Sequence, residues 1–440
     1  MRFQRGEYQH SNFKSLMKND VIIIGAGAAG LMAAKELSAA GYSVCLLEAD
    51  TKPGGRMATI YTSGFDQPFE TGAEFVHGNL PLTLQLLKEA NITYHPVGGE
   101  MINVQDGKWH SDEAHDEHWG IFMHKLNQLQ SDITIGAFLD SYFAEPEYAL
   151  LRNSVQRFAE GFDLADITKA SILAVRDEWQ HEQEEQYRIE GGYIRLTNYL
   201  HDVCVKQKVS IYFNREINKV DYKDDNLRVY STDGTVFEGK LLIVTVSAGI
   251  LQSGNIIFTP AIKAHQTAIE QLGFGSVIKY LLQFNTAFWD SYGEDIGFLL
   301  SNEAVPTWWT QKPSQSNILT GWLGGPGAQE KSTLTKTELL EEAISALSYI
   351  FNQSTETLHN QLVQYEIICW SNHSLTKGGY SYYTMQSAEA KKVLSAPVNN
   401  MIFFAGEAMY DGESQGTVEA ALQSGKAVAE KVKNILSKKN

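Results

Sequence analysis

The chain has 440 residues, more than one ordinary domain, and 43% of them are hydrophobic, which is enough for a substantial core and argues against disorder as the general state. A formal charge of −16 argues against a nucleic-acid partner. The longest apolar runs, 21–24 and 241–246, are far too short to cross a bilayer, so no membrane span is expected. Residues 1–19 carry positive charge but no apolar stretch of the secretory kind, and read as a loose extension. Cys45, Cys204 and Cys369 are widely separated with no zinc or dithiol spacing, which fits a reducing cytoplasm.

Residues 20–50 read as strand, tight glycine turn, helix and second strand. Residues 79–185 carry helical patterning and are expected to form a separate, mainly helical layer. Farther on, IYFNREINKVDY and LRVYSTDG read as antiparallel strands, and KLLIVTVSAGIL reads as a buried one. Near the C-terminus MIFFAGEAM predicts one more strand, and TVEAALQSGKAVAEKVKNIL a helix packed closely on a sheet.

The run VIIIGAGAAG places Gly25, Gly27 and Gly30 between a predicted strand and a predicted helix, the context that a dinucleotide fingerprint requires. Gly25 permits the turn, Gly27 leaves room for backbone to approach a pyrophosphate, and Gly30 allows close packing of the helix. Glu48 ends the next strand, 23 residues after Gly25, placed to accept from ribose hydroxyls and to repel a 2′-phosphate. These features do not by themselves separate NAD from FAD.

The continuation GGRM, residues 54–57, resembles that of the flavin-containing amine oxidases of the monoamine oxidase and polyamine oxidase type. Further segments match that family in order: ETGAEFVHG (70–78), IEGGYIRLTNYL (189–200), REINKV around Ile217, and FFAGEA followed by GTVEAALQSG. The resemblance therefore covers about residues 20–435 and implies bound FAD. It assigns Gly54 and Gly55 to the floor beneath the flavin, Arg56 to the phosphates, and the Ile217 backbone to the adenine. It assigns Gly406 and Glu407 to the ribityl region and Thr417 to a helix start aimed at the isoalloxazine.

GFGSVIKYLLQFNTAFW, residues 273–289, is similar to the active-site lysine segment of the monoamine oxidases and nominates Lys279. Read without the resemblance, Lys279 is a lysine protecting a strand edge from pairing. Trp370 and Tyr380 match the tryptophan near the flavin and one tyrosine of the family's aromatic sandwich, with core aromatics as the plainer reading. The second wall maps to Thr417, which implies a more open pocket than two aromatic rings make. Gly379 stands where the enzymes with covalent FAD have cysteine, so non-covalent FAD is implied. His77 matches a position that is histidine or acid in polyamine oxidases, and Ser247 replaces the family's usual proline, for which a small loop change is expected.

The fold class implied is α/β, a Rossmann-type FAD-binding domain (20–78, 186–266 and 391–440) with a discontinuous α+β substrate-binding domain (79–185 and 267–390). The activity implied is oxidation of an amine by dioxygen with release of peroxide. A di- or polyamine is favoured on three grounds: Thr417, His77, and the acidic runs at 112–117 and 177–185, which are otherwise solvated helix faces. The alternatives are an L-amino-acid oxidase, for which the usual arginine after the glycine-alanine step is missing in GAEFVHGN, and a desaturase or porphyrinogen-type oxidoreductase. No metal is required, and a homodimer is left open.

Overall fold

The computed structural model describes residues 19–438 except 63, 106, 111–117, 180–184, 224–225, 294 and 413. Residues 1–18 of the expected N-terminal extension thus lie outside the described residues, while Asn19 already belongs to the first strand.

The two longest apolar runs become neighbours. Asn19–Ile24 pairs in parallel with Val236–Val244 on one side and with Val44–Leu47 on the other. A strand inside a parallel sheet is covered on both faces, so it needs apolar residues at successive positions. Side-chain alternation splits them between two cores. Val21, Ile23, Leu241 and Ile243 enter one, and Ile22, Ile24, Leu242 and Val244 the other. The eight-stranded sheet continues through Leu227–Ser231 and Ile217–Asp221, which are antiparallel as the sequence predicts, and Ile402–Phe404 joins Val236–Val244 in parallel. The start of IYFNREINKVDY departs from the antiparallel expectation, because Ser210–Tyr212 is a separate strand parallel to Val44–Leu47.

Two helices cover one face beside the glycine turn, Ala28–Ala39 and Val418–Ser437. Gly425 lets them touch, since a Cβ there would lie 2.3 Å from the Ala29 carbonyl oxygen. Glu419, almost fully buried, accepts from the Leu82 and Thr83 N–H groups at 3.0 and 2.7 Å. It thereby supplies the anion that the start of helix Pro81–Glu89 lacks, because Leu80 offers no capping side chain.

A second sheet of seven strands carries Val277–Phe284 between Ile318–Gly324 and Leu362–Cys369. All eight residues of that strand are buried. Ile278, Tyr280, Leu282 and Phe284 face one hydrophobic core, which turns Lys279 to the opposite side. Helices Trp119–Gln128, Ile135–Tyr142, Ala149–Gly161 and Ile172–Trp179 surround Phe122, Phe138 and Phe143.

The expectation of a mainly helical stretch from 79 to 185 is corrected between residues 94 and 110. Tyr94–Pro96 pairs with Gln186–Ile189, and Glu100–Gln105 with Ile296–Leu300. These partners lie about 90 and 200 residues away in sequence. Short segments of this kind are recruited by distant strands, which local periodicity does not register.

Candidate active site

One cavity of about 2040 Å³ runs from the glycine turn to the face of the seven-stranded sheet. Gly25, Gly27, Glu48, Gly54, Gly55, Arg56, His77, Ile217, Lys279, Trp370, Tyr380, Gly406, Glu407 and Thr417 all line it. Gly30 is the nominated residue outside the lining. A Cβ on it would sit 1.9 Å from the Gly25 carbonyl oxygen, so its role is the close approach of helix to turn.

The nucleotide end fits a dinucleotide. Gly25 has φ +104, the left-handed turn that glycine favours. Gly27 begins helix Ala28–Ala39 with no side-chain cap, and a Cβ there would meet nothing nearer than the Gly54 oxygen at 3.9 Å. Gly406 likewise has nothing within 4 Å. The result is a cradle without side chains at an uncapped helix N-terminus, the arrangement that accepts a pyrophosphate. Glu48 accepts from the Ala26 and Asp50 N–H groups at 2.6 and 2.9 Å, and burial raises its carboxyl above the ordinary range.

Arg56 donates through Nη1 to the Gly379 carbonyl and to Glu407 Oε1, both at 2.7 Å. Glu407 is buried and also accepts from the Ser381 hydroxyl at 2.6 Å. Thr417 caps helix Val418–Ser437, accepting from the Ala420 N–H at 3.2 Å, and so keeps a small side chain at the cavity wall. Ser247, the expected loop change, caps the short helix Ala248–Gln252 and donates to the Thr376 carbonyl at 2.6 Å.

At the other end, Lys279 sits on a strand paired on both sides and is fully buried, so the strand-edge reading does not apply. Its Nζ donates to Glu74 Oε2 at 2.5 Å and to the Gly72 carbonyl at 3.2 Å. Trp370 Nε1 donates to the Thr71 carbonyl at 2.8 Å, and the Tyr380 hydroxyl donates to the Phe162 carbonyl. The ring of His77 stands edge-on to Phe75 and Phe162, with centroids 5.9 and 5.6 Å away. Burial lowers its pKa to about 4, so the ring is neutral at physiological pH, and its Nδ1 has no hydrogen-bond partner among the described residues.

Sequence reasoning missed Glu74, Arg188 and Trp309. Glu74 accepts from Lys279, from Arg188 and, at 2.9 Å, from the indole of Trp309. The signal available was one acid inside the apolar segment GAEFVH, where an unpaired charge would not survive. The aromatic walls Phe75, Phe158, Phe162, Phe298, Trp309 and Trp322 also went unassigned, because their elements are far apart in the chain. Arg157 lines the same cavity and donates to the Ser301 carbonyl and to Asn302 Oδ1 at 3.1 and 2.8 Å.

The family profile described as flavin containing amine oxidoreductase matches residues 28–433. The chain belongs to this family. It is 27% identical to lysine-specific histone demethylase 1 homolog 1 of Oryza sativa subsp. japonica, over 93% of this chain and 52% of that protein. It is 26% identical to polyamine oxidase 4 of the same organism, over 95% and 90% of the two chains. The chain spans about half the length of the histone demethylases it matches. Its fold is similar to that of putrescine oxidase bound to putrescine, with a TM-score of 0.79 at 18% identity over 95% of this chain and 99% of that one. FAD is the cofactor of this family, and the glycine cradle fits it. Among the described residues, no helix is long and apolar enough to cross a membrane.

A pH dependence of stability arises beside this site. Glu70 Oε1 accepts from the Tyr193 N–H at 2.7 Å and from the Thr59 hydroxyl at 2.9 Å, while Oε2 is buried with no partner. Burial raises this carboxyl to about 7, against the lowering effect of those bonds and of the Lys279 charge. A carboxyl raised by folding contributes stability fully present below its ordinary value of 4.5, and loses it as pH rises through about 7. Glu70→Gln keeps the accepting oxygen and removes the charge. Relative to wild type it should gain roughly 3 kcal/mol between pH 4.5 and pH 8. Denaturant unfolding of both proteins at the two pH values checks this, and an unchanged difference contradicts it.

Proposed function

We propose that the chain is an FAD-dependent oxidase of amines, with a di- or polyamine as substrate. The observation that carries this reading is the convergence of Lys279, Trp370, Tyr380 and His77 on one cavity with the glycine cradle. The overall reaction converts amine, dioxygen and water to aldehyde, ammonia and hydrogen peroxide, through an imine that water hydrolyses. Bound FAD supplies the two-electron acceptor that protein side chains lack.

The FAD would be held by Gly25, Gly27, Gly54, Gly55 and Gly406, by Glu48 at the ribose, by Arg56 and Glu407 between phosphate and ribityl chain, and by the Ile217 backbone. Gly30 packs the turn. Non-covalent attachment is supported at Gly379, which offers no thiol. Flavin should accordingly leave the polypeptide on acid precipitation, and flavin remaining in the pellet would contradict this.

The other residues orient the amine. Tyr380, with the aromatic walls, excludes water and attracts a cation or an amine dipole. Neutral His77, which lines the cavity, accepts a hydrogen bond from the substrate nitrogen. Lys279 places positive charge where negative charge develops during turnover. The acidic run 112–117 and residues 180–184 of the run 177–185 lie outside the described residues, so the diamine preference rests on Thr417 and His77.

A second reading, a methylated lysine side chain, is favoured by the small Thr417 at the cavity wall and by the histone demethylase relatives. Peroxide release from putrescine, spermidine, spermine, benzylamine, tyramine, a monomethyl-lysine peptide and several α-amino acids separates these. The expected order places putrescine or a polyamine first in kcat/KM. Faster aryl monoamines, methyl-lysine or amino acids would replace the substrate assignment.

A further inference from the structure

Lys279 belongs to a cluster of four ionisable side chains packed beside the cavity, and it alone of the four has a role in the proposed reaction. The others are Glu74, Arg188 and Glu70. The side chains of Lys279, Glu74 and Arg188 are 1%, 5% and 14% exposed. Both oxygens of Glu74 are engaged. Its Oε2 accepts from Lys279 at 2.5 Å, and its Oε1 accepts from Arg188 Nη1 and from Trp309 Nε1 at 2.9 Å. Arg188 is held from behind, with Nη2 donating to the Thr310 carbonyl at 2.9 Å and its guanidinium 4.7 Å over Phe75.

We propose that Glu74 is the positioning residue of this reaction centre: its carboxylate is the counter-ion that keeps the Lys279 ammonium in place at the cavity, and it fixes the Trp309 wall through the same group. Two cations meet one carboxylate, so the cluster carries one surplus positive charge toward the cavity. Burial alone would raise the Glu74 carboxyl, but the charges of Lys279 and Arg188 bring it down to about 2, and it stays ionised throughout the working pH range. An ammonium in this position without its carboxylate would face Arg188 across an apolar pocket. Desolvation and like-charge repulsion then both favour the neutral amine. Glu74 thus decides whether Lys279 brings its charge to the reaction already formed, or must collect a proton as negative charge develops.

This inference rests on the reading that Lys279 stands beside the flavin, and proton stoichiometry tests the two separately. Two-electron reduction to the anionic reduced flavin takes up one proton when the lysine is already charged, and two when the lysine must charge as well. The slope of midpoint potential against pH counts these protons. The groups facing Lys279 and Glu74 are Arg188, which stays charged, Glu70, raised to about 7, and His77, lowered to about 4. All holoproteins therefore carry Glu70→Gln, so that the neighbouring carboxyl adds no proton of its own. In that reference protein the slope should correspond to one proton from pH 6 to 9.5.

Glu74→Gln keeps the oxygen that accepts from Trp309 and replaces the charged oxygen at Lys279 with an uncharged NH2. Its slope should double between pH 7 and 9, and flavin reduction at pH 8, which then starts from an uncharged lysine, should slow at least ~10-fold, recovering toward the reference rate at pH 6. Glu74→Asp, which retains the carboxylate, should keep the one-proton slope. A one-proton slope with no pH-dependent rate loss in Glu74→Gln overturns the inference. If Glu74→Gln does not fold, the reference protein decides: a two-proton slope anywhere between pH 7 and 9 shows that Glu74 does not hold the charge. Lys279→Met with unchanged half-reactions would instead overturn the underlying assignment of Lys279.

Discussion

Gly27→Val yields a folded protein that no longer retains flavin. Gly27 has φ −77 and ψ −173, a conformation any residue adopts, and the nearest atom to a Cβ there is 3.9 Å away. The substitution therefore leaves the protein's own packing intact and fills only the cradle at the helix N-terminus. Affinity for FAD should fall at least ~100-fold, roughly 3 kcal/mol, while the apoprotein's Tm stays within a few degrees of the wild-type apoprotein's. Titration of both apoproteins with FAD, followed by flavin fluorescence, measures this. Gly30→Ala is the contrasting case, because its Cβ would strike the Gly25 carbonyl at 1.9 Å and disturb the turn itself. If Gly27→Val binds flavin as wild type does, the pyrophosphate does not lie against this helix.

Replacing Lys279 by Met slows flavin reduction, reoxidation, or both by at least ~10-fold, about 1.4 kcal/mol of barrier. Methionine fills much of the same volume, and Glu74 retains Arg188 and Trp309 as partners, so the fold should tolerate the change. The loss is then of a positive charge at a fully buried position, where charge counts for more than in water. Stopped-flow measurement of each half-reaction checks this. Wild-type rates in both would reduce Lys279 to a structural partner of Glu74.

How much of this was legible in the sequence follows from how local each signal is. The glycine turn could be read because strand, turn and helix are contiguous, and Glu48 because it follows within one βαβ unit. The pairing of the strands at 21–24 and 241–244 was foreshadowed by their continuous apolar character. Lys279 was reached through resemblance alone; its strand's central place in the sheet supplies the physical reason that its side chain is not on an edge.

The Glu74 cluster could not be assembled from local pattern, since its hydrogen bonds span 205 residues to Lys279 and 235 to Trp309. The same applies to Glu419, whose carboxylate completes a helix start 336 residues earlier. Such charges look like solvated surface until the fold buries them. The pairings of Tyr94–Pro96 and Glu100–Gln105 with distant strands were missed for a related reason, but the hairpin of Glu100–Gln105 with Lys108–His110 is local, and its signal QDGK went unread.

The central claim is that this cavity oxidises an amine with its own bound flavin. Its most direct test is to mix the oxidised holoprotein with putrescine and spermidine under anaerobic conditions and follow the flavin's visible absorbance. The account predicts bleaching in a single phase whose rate saturates with amine concentration, recovery of colour on admitting air, and peroxide equal to the flavin turned over. Absorbance that stays unchanged with every amine of the panel, in protein fully loaded with FAD, would contradict it.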